Sequence, residues 1–565
     1  MKTMKIVVVG GSAAGAKAAA KARRLDQSAQ ITIIQKDPDL SMASCGYPYY
    51  VGGTFDNRNA LLATPTGVVR DPGFFQKTKD IKALVQTECV AVNREARQVE
   101  CRDLQSGEKF FVEYDKLILC MGGKPKRIPV PGTELEGVTH LLSMADTDYL
   151  HRAASSKEVQ HAVVIGGGLI GVEACEALVS RGIKVTLVEM ESQILTMLDW
   201  QMAKLVENHM KSKGVDVRVG TRLETLTGEG GRLSSVTLGD GTVIPCELAV
   251  LATGVEPITE PAAGAGLAIG ELGGIAVNEY MQTSDEHIYA AGDCVECVNM
   301  ITGNKVLAPM GDLANLQGRV AGENVAMGNS VTFSGTTQTA ICKVFDFGAG
   351  VTGLTEKQAK KASVAAYETV VNASPDKPGF MGAGLLISKM VVNSDNDKIL
   401  GCQCVGSGDV SRQLATMAMA VRAGMTVTDL ATADLPYAPP YSLAIDHSIA
   451  TAHIMGNKLK GRFKSISAEE VWQRIQDGNP PFFLDGRGPD EYEVLRLGIG
   501  EKYIPLGMLR NKLDELPRDK GAEIVCFCKI SLRGYETALI LEANGWTNVK
   551  VMEGGIMAWP FAREA

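Results

Sequence analysis

Two short stretches some 156 residues apart constrain the fold more than anything else in the chain. In the first, the apolar run of residues 5–9 enters Gly10-Gly11-Ser12-Ala13-Ala14-Gly15, and an alanine-rich segment follows to Leu25. In the second, residues 162–165 enter Gly166-Gly167-Gly168-Leu169-Ile170-Gly171, again ahead of helix-forming sequence. A short apolar run that stops at glycines reads as a buried strand. The glycines allow a tight turn and close approach of a ligand to the backbone, and the helix start offers free N–H groups to phosphate. One such unit is weak evidence. Two predict two strand–turn–helix units, each able to hold the pyrophosphate of a dinucleotide. The candidate contacts are Gly10, Ser12, Ala13, Ala14 and Gly15 in one, and Gly166, Gly168 and Gly171 in the other.

The strand after each unit refines this. Residues 184–188 end at Glu189, whose carboxylate can bond a ribose 2′-hydroxyl and would repel a 2′-phosphate; NADH is therefore expected in preference to NADPH. The equivalent strand of the first unit, residues 31–34, ends at Gln35 and Lys36, and the Gln35 amide oxygen is expected to accept a ribose hydroxyl. Three further apolar runs end at Gly122, at Gly254 and at Gly292-Asp293. An Asp at that edge can bind the ribityl hydroxyls of FAD, so Gly122, Gly254, Gly292 and Asp293 join the cofactor candidates.

At 565 residues the chain is too long for one core, and three or four domains are expected. A formal net charge of −8 argues against nucleic acid or an anionic membrane as partner. The start of the chain, with Lys2, Lys5 and then Ala18-Ala19-Ala20, has the look of a leader, but the glycine fingerprint and the return of charge at Lys21, Arg23 and Arg24 point to a cytoplasmic protein. Thirteen cysteines, an odd number without a regular frame, suggest a reducing compartment with a few chemically used thiols. Cys294 and Cys297 have metal-ligand spacing without a second pair, and Cys402 and Cys404 alternate along a strand as core; no metal site is expected.

One thiol stands apart. In Ser41-Met42-Ala43-Ser44-Cys45-Gly46-Tyr47-Pro48-Tyr49 a single cysteine follows a strand of the first unit, at the edge where such sheets hold ligands. The order of the four glycine segments around it resembles the FAD- and NAD-dependent pyridine nucleotide-disulfide oxidoreductases, from the N-terminus to about residue 455. Residues 41–49 are similar to the active-site segment of the single-cysteine branch, which includes coenzyme A disulfide reductase, NADH oxidase and NADH peroxidase. A two-cysteine site would need a cysteine at Leu40, and the peroxidase branch carries a histidine in place of Ala13. The resemblance implies that Lys17, Lys21, Arg24, Ser41 and Ser44 meet coenzyme A, and that Tyr437 or Tyr441 reaches the partner's site in a homodimer. It also implies a Cys45 pKa lowered by the adjacent flavin and helix ends.

Residues 458–464 hold four basic residues and read as a linker. Beyond them, residues 481–487, 524–534 and 553–559 resemble a rhodanese domain with Cys528 as sulfur carrier and Ser531 where a glycine is common. The expected class is α/β: two Rossmann-like nucleotide-binding domains (FAD, 1–150 and 271–330; NAD, 151–270), an α+β dimerisation domain (331–455), a linker (456–466) and an α/β rhodanese domain (467–565). The implied activity passes electrons from NADH through FAD to Cys45 and on to coenzyme A disulfide, persulfide or polysulfide. The rivals are an NADH oxidase with a Cys45 sulfenate, and a non-catalytic sulfur carrier or redox sensor.

Overall fold

The computed structural model describes residues 3–364 and 366–564, so Lys2 lies outside it. Two compact units emerge, one made of Met1–Ser192 and Gly214–Thr336, the other of Gln193–Lys213 and Thr337–Ala565.

In the first unit Lys5–Val9 is the middle strand of a five-stranded parallel sheet, between Lys116–Leu119 and Gln30–Ile34, with Ile288–Ala290 and Ile81–Leu84 at the edges. Its β-branched side chains are buried on both faces, as a parallel sheet demands. Helix Ala13–Leu25 covers one face, and helix Gly311–Met327 packs on that helix. The two approach backbone to backbone. A Cβ at Gly318 would lie 2.3 Å from the Ala14 carbonyl oxygen, and one at Gly322 the same distance from that of Ala18. A second parallel sheet has the order Asp216–Val219, Lys184–Glu189, His161–Ile165, Leu248–Leu251, Val138–Thr139. Both glycine fingerprints thus follow central strands, as their sequence predicts.

The second unit holds an antiparallel sheet, Ala340–Val344, Phe347–Gly353, Ile399–Gly406, Leu385–Asn393 and Tyr367–Pro375, packed against helices Val410–Ala423 and His447–Leu459. Cys402 and Cys404 are buried on one of its central strands. The C-terminal portion is a parallel sheet, ordered Ser465–Ile466, Val549–Met552, Ile524–Phe527, Phe482–Asp485, Lys502–Tyr503, around a core that includes fully buried Trp559. Ser467 caps helix Ala468–Gln476 by accepting the Glu470 N–H.

Two expectations differ from what is observed. Helix His447–Leu459 runs through Gly456 into the segment read as a linker, because Lys458 Nζ is anchored on the Thr369 carbonyl and on Glu553. Helix Trp200–Ser212, placed by sequence in the NAD domain, belongs to the second unit. Its amphipathic pattern buries Met202, Leu205, Val206 and Met210, while Gln201 and Asn208 donate to the carbonyls of Ala558 and Pro560. No described helix is long and apolar enough to cross a membrane.

Candidate active site

The two glycine turns are built alike. Gly10 and Gly166 have φ of +95° and +106°, and a Cβ on either would lie 2.0 and 2.3 Å from the carbonyl oxygens of Cys120 and Ala252. Gly15 and Gly171 seat their helices against the turns: a Cβ there would be 1.8 and 1.9 Å from the oxygens of Gly10 and Gly166. Neither helix start, at Ser12 or Gly168, takes a side-chain cap. The first N–H groups are therefore left without a capping side chain, as a phosphate site requires. No protein atom lies within 4 Å of a Cβ built on Gly122, Gly168 or Gly254, so these glycines border open space.

The residue at the end of each second strand anchors its turn. Gly167 N–H donates to Glu189 Oε2 at 2.6 Å, and Glu191 N–H to Oε1 at 2.8 Å. Gly11 N–H donates in the same way to Gln35 Oε1 at 2.7 Å. The Gln35 amide oxygen, expected to accept a ribose hydroxyl, thus also supports its turn, as Glu189 does. Lys36 is drawn elsewhere: it points to the surface and pairs with Glu88 at 2.9 Å, which Arg102 shares.

Asp293 follows Gly292, whose N–H is fixed by buried Gln317 Oε1 at 2.8 Å. Among the described residues no donor reaches the Asp293 carboxylate, and burial lifts its pKa to about 6. A half-buried carboxylate without donors, beside an uncapped helix start, fits a polyol hydroxyl. The protein chain alone bears the cost. The folded carboxyl keeps its proton to about pH 6, the unfolded one only to about pH 4, so stability falls as pH rises between them. Asp293→Asn is expected to stabilise the flavin-free chain by about 3 kcal/mol above pH 6, with no gain below pH 4. Denaturant unfolding at pH 4 and pH 8 reads this difference, and the same variant should retain less FAD.

Cys45 lies in a short 3₁₀ turn, Ser44–Gly46, ahead of helix Tyr47–Val51. The loop is tethered at several points. Ser41, at φ +52°, donates its N–H to the Gly11 carbonyl, and Ala43 N–H reaches the Leu61 carbonyl. Arg58 makes a two-pronged ion pair with Asp39 and shares its Nε–H between both oxygens of Asp148, joining the two sides of the loop to helix Met144–Ser155. Tyr50 stacks on His151 at 4.1 Å. Cys45 is open to solvent on one side. On another, its Sγ is 3.4 Å from the Cβ position of Gly311, the first residue of helix Gly311–Met327. A side chain at Gly311 would stand between the sulfur and that helix start.

In the protein chain without flavin the thiol pKa is raised; the lowering expected from an adjacent flavin concerns the flavin-bound site. Burial of the sulfur is the largest cause, followed by the charges of Glu173, Asp293 and Asp312. Glu173 was not foreseen. It accepts a hydrogen bond from Tyr49 Oη at 3.3 Å and lies two residues beyond Gly171, so it brings the second nucleotide unit to the thiol of the first. The signal in the sequence was an acid half a helical turn past the last fingerprint glycine.

The proposed coenzyme A contacts divide. Ser41 and Ser44 flank the thiol loop. Lys17 and Arg24 lie on the first helix with Arg24 exposed, whereas Lys21 is half-buried and paired with Glu323 at 2.8 Å. Tyr437 and Tyr441 are exposed on the loop of residues 432–446 in the second unit.

Cys528 follows strand Ile524–Phe527 and is fully buried. Ser531 takes the left-handed conformation that favours glycine, φ +79°, and its hydroxyl is committed to the Met552 carbonyl at 2.9 Å. Arg533 grips Glu491 with two bonds of 2.6 and 2.8 Å, and its pKa is raised first by that partner and further by Cys528 beside it.

Comparison with known proteins agrees with this layout. Residues 4–317 match the pyridine nucleotide-disulphide oxidoreductase family, 339–449 its dimerisation domain, and 467–561 the rhodanese-like domain. The chain is similar to the NAD-dependent persulfide reductase from A. fulgidus, with 40% identity and a TM-score of 0.93 over 98% of this chain and 100% of that one. It is 33% identical to the NAD(P)H coenzyme A polysulfide/persulfide reductase of Pyrococcus horikoshii, over 80% of this chain and 98% of that protein. It is 31% identical to the NADH oxidase of Methanocaldococcus jannaschii, over 78% and 96%. With two glycine turns, one exposed loop thiol and a match over more than half its length, the chain belongs to the pyridine nucleotide-disulphide oxidoreductases, enzymes that use FAD and a nicotinamide dinucleotide, and it carries a rhodanese-like domain at its C-terminal end.

Proposed function

We propose that the protein is an NADH-dependent reductase of coenzyme A persulfide, polysulfide or disulfide, with Cys45 as the attacking thiol and Cys528 handling sulfane sulfur. One observation carries the reading: the loop thiol at Cys45 lies among Asp293 of the first nucleotide site, Glu173 of the second and the start of helix Gly311–Met327. FAD, when bound, supplies the two-electron link between nicotinamide and thiol. The chain's own residues set the rest. Gly10 to Gly15 and Asp293 would hold the flavin nucleotide, and Gly166 to Gly171 with Glu189 the NADH. Ser41, Ser44, Lys17 and Arg24 would meet the coenzyme. Tyr437 or Tyr441 would donate a hydrogen bond to the substrate sulfur or leaving thiolate across a homodimer, in the cytoplasm.

For a persulfide the balance is NADH + H⁺ + CoA–S–SH giving NAD⁺, CoA–SH and H₂S. Anaerobic holoenzyme given coenzyme A persulfide should release one sulfide per NADH oxidised. The rival oxidase reading is favoured by the open side of Cys45. It would be upheld by NADH oxidation that depends on oxygen and ignores the persulfide.

A further inference from the structure

Glu553 is buried, yet it is bonded on three sides. Its carboxylate accepts the Val371 N–H at 2.8 Å, the Ser465 hydroxyl at 2.6 Å and Lys458 Nζ at 2.9 Å. Val371 lies on Tyr367–Pro375, the edge strand of the antiparallel sheet, so the carboxylate satisfies an N–H that the sheet leaves unpaired. Lys458, in the last turn of helix His447–Leu459, also bonds the Thr369 carbonyl and pairs with Glu368 at 3.2 Å. Burial disfavours its charge, but Glu553 and Glu368 hold its pKa above the usual lysine range.

The residues that follow Glu553 reach the sulfur loop. Gly554 packs on Val371, and Gly555 presses on the Cys528 carbonyl, 2.3 Å from where its Cβ would be. Ile556 N–H donates to the Cys528 carbonyl at 3.0 Å, and Met557 N–H to that of Lys529 at 3.1 Å. In a trans peptide the carbonyl and the next N–H point in opposite directions. Fixing these two carbonyls therefore aims the N–H groups of Lys529 and Ile530, donors the loop can offer to a sulfur anion at Cys528.

We propose that Glu553 is a positioning residue for sulfur transfer, through which the dimerisation sheet and Lys458 fix the loop that carries Cys528. This rests on the sulfane-sulfur role of Cys528 argued above. The step concerned is transfer from thiosulfate: the Cys528 thiolate takes the outer sulfur, the S–S bond breaks and sulfite leaves. Cyanide then removes that sulfur from the Cys528 persulfide as thiocyanate and restores the thiolate.

The test uses full-length holoenzyme with thiosulfate and cyanide. Glu553→Ala should lower kcat by about tenfold or more, with KM for thiosulfate within about twofold, because aim is lost and not binding. Glu553→Gln keeps an acceptor for Val371 and should recover to within about threefold of the parent, with Lys458→Met between the two. NADH-dependent reduction of coenzyme A disulfide should be unchanged in all three. Hydrogen exchange at the Ile556 and Met557 amides should quicken by about tenfold in Lys458→Met. Parental kcat in Glu553→Ala, or a loss confined to KM, overturns the proposal. Should that variant fail to fold, parental kcat in both of the others does so. A parent without sulfur transfer would contradict the role of Cys528, and unchanged amide exchange in Lys458→Met would then still overturn the anchoring.

Discussion

Cys45→Ser is expected to lower NADH-dependent reduction of coenzyme A disulfide on the order of a thousandfold or more, with the fold and the bound flavin intact. A serine hydroxyl stays protonated where a thiol ionises, and its oxygen does not attack a disulfide sulfur. Cys45 is the one exposed cysteine among the described residues, so no second thiol can take its place. Cys45 is solvent-open on one side and fills no core, and the loop is held by Ser41, Ala43 and Arg58 and not by the sulfur. The variant should therefore elute, unfold and bind flavin like the parent. Thiosulfate–cyanide transfer at Cys528 should persist. Steady-state rates with coenzyme A disulfide, alongside flavin absorbance per chain, check the prediction. Undiminished turnover in the variant would remove Cys45 from the mechanism.

The second large effect concerns a position that touches no reacting group. Gly318→Ala is expected to destabilise the first unit by about 3 kcal/mol and to yield protein largely free of flavin. The new methyl would lie 2.3 Å from the Ala14 carbonyl oxygen, a backbone atom that cannot swing aside. Helix Gly311–Met327 would have to move off helix Ala13–Leu25. Its neighbour Gln317 holds Gly292 next to Asp293, and Gly311 stands at the start of the same helix beside Cys45, so both groups would lose their placement. Flavin content after purification and the midpoint of thermal unfolding report the two consequences. By contrast, alanine at Gly168, which borders open space, should leave stability nearly unchanged.

Much of this architecture was legible because it is written locally. A strand, a glycine turn and a helix start need only a dozen residues, and Gly10 to Gly15 and Gly166 to Gly171 carry the steric demand themselves. The same holds for the Ser467 cap and the strand before Cys528. What escaped the sequence depends on residues distant along the chain. The pKa of Cys45 in the flavin-free chain is raised first by burial and then by Glu173, Asp293 and Asp312, each more than a hundred positions away, so none of these causes is visible in the local sequence. Helix Trp200–Ser212 was placed only by the bounds of the NAD domain, and nothing in its period says which surface will cover it. The stretch at Lys458 looks like a solvated linker until Glu553 and Glu368 appear beside its charge. The bond from the Gly11 N–H to Gln35 also escaped, because a backbone partner leaves no trace in side-chain patterns.

That last bond has a bearing on evolvability. At equivalent places the two turns rest on an amide oxygen, Gln35, and on a carboxylate, Glu189, and either atom supports the glycine N–H. Scaffolding and charge are therefore separable at this corner of the fold. A descendant could drift toward phosphorylated dinucleotides by trading one acid for its neutral isostere, without first having to rebuild the hinge on which its helix stands.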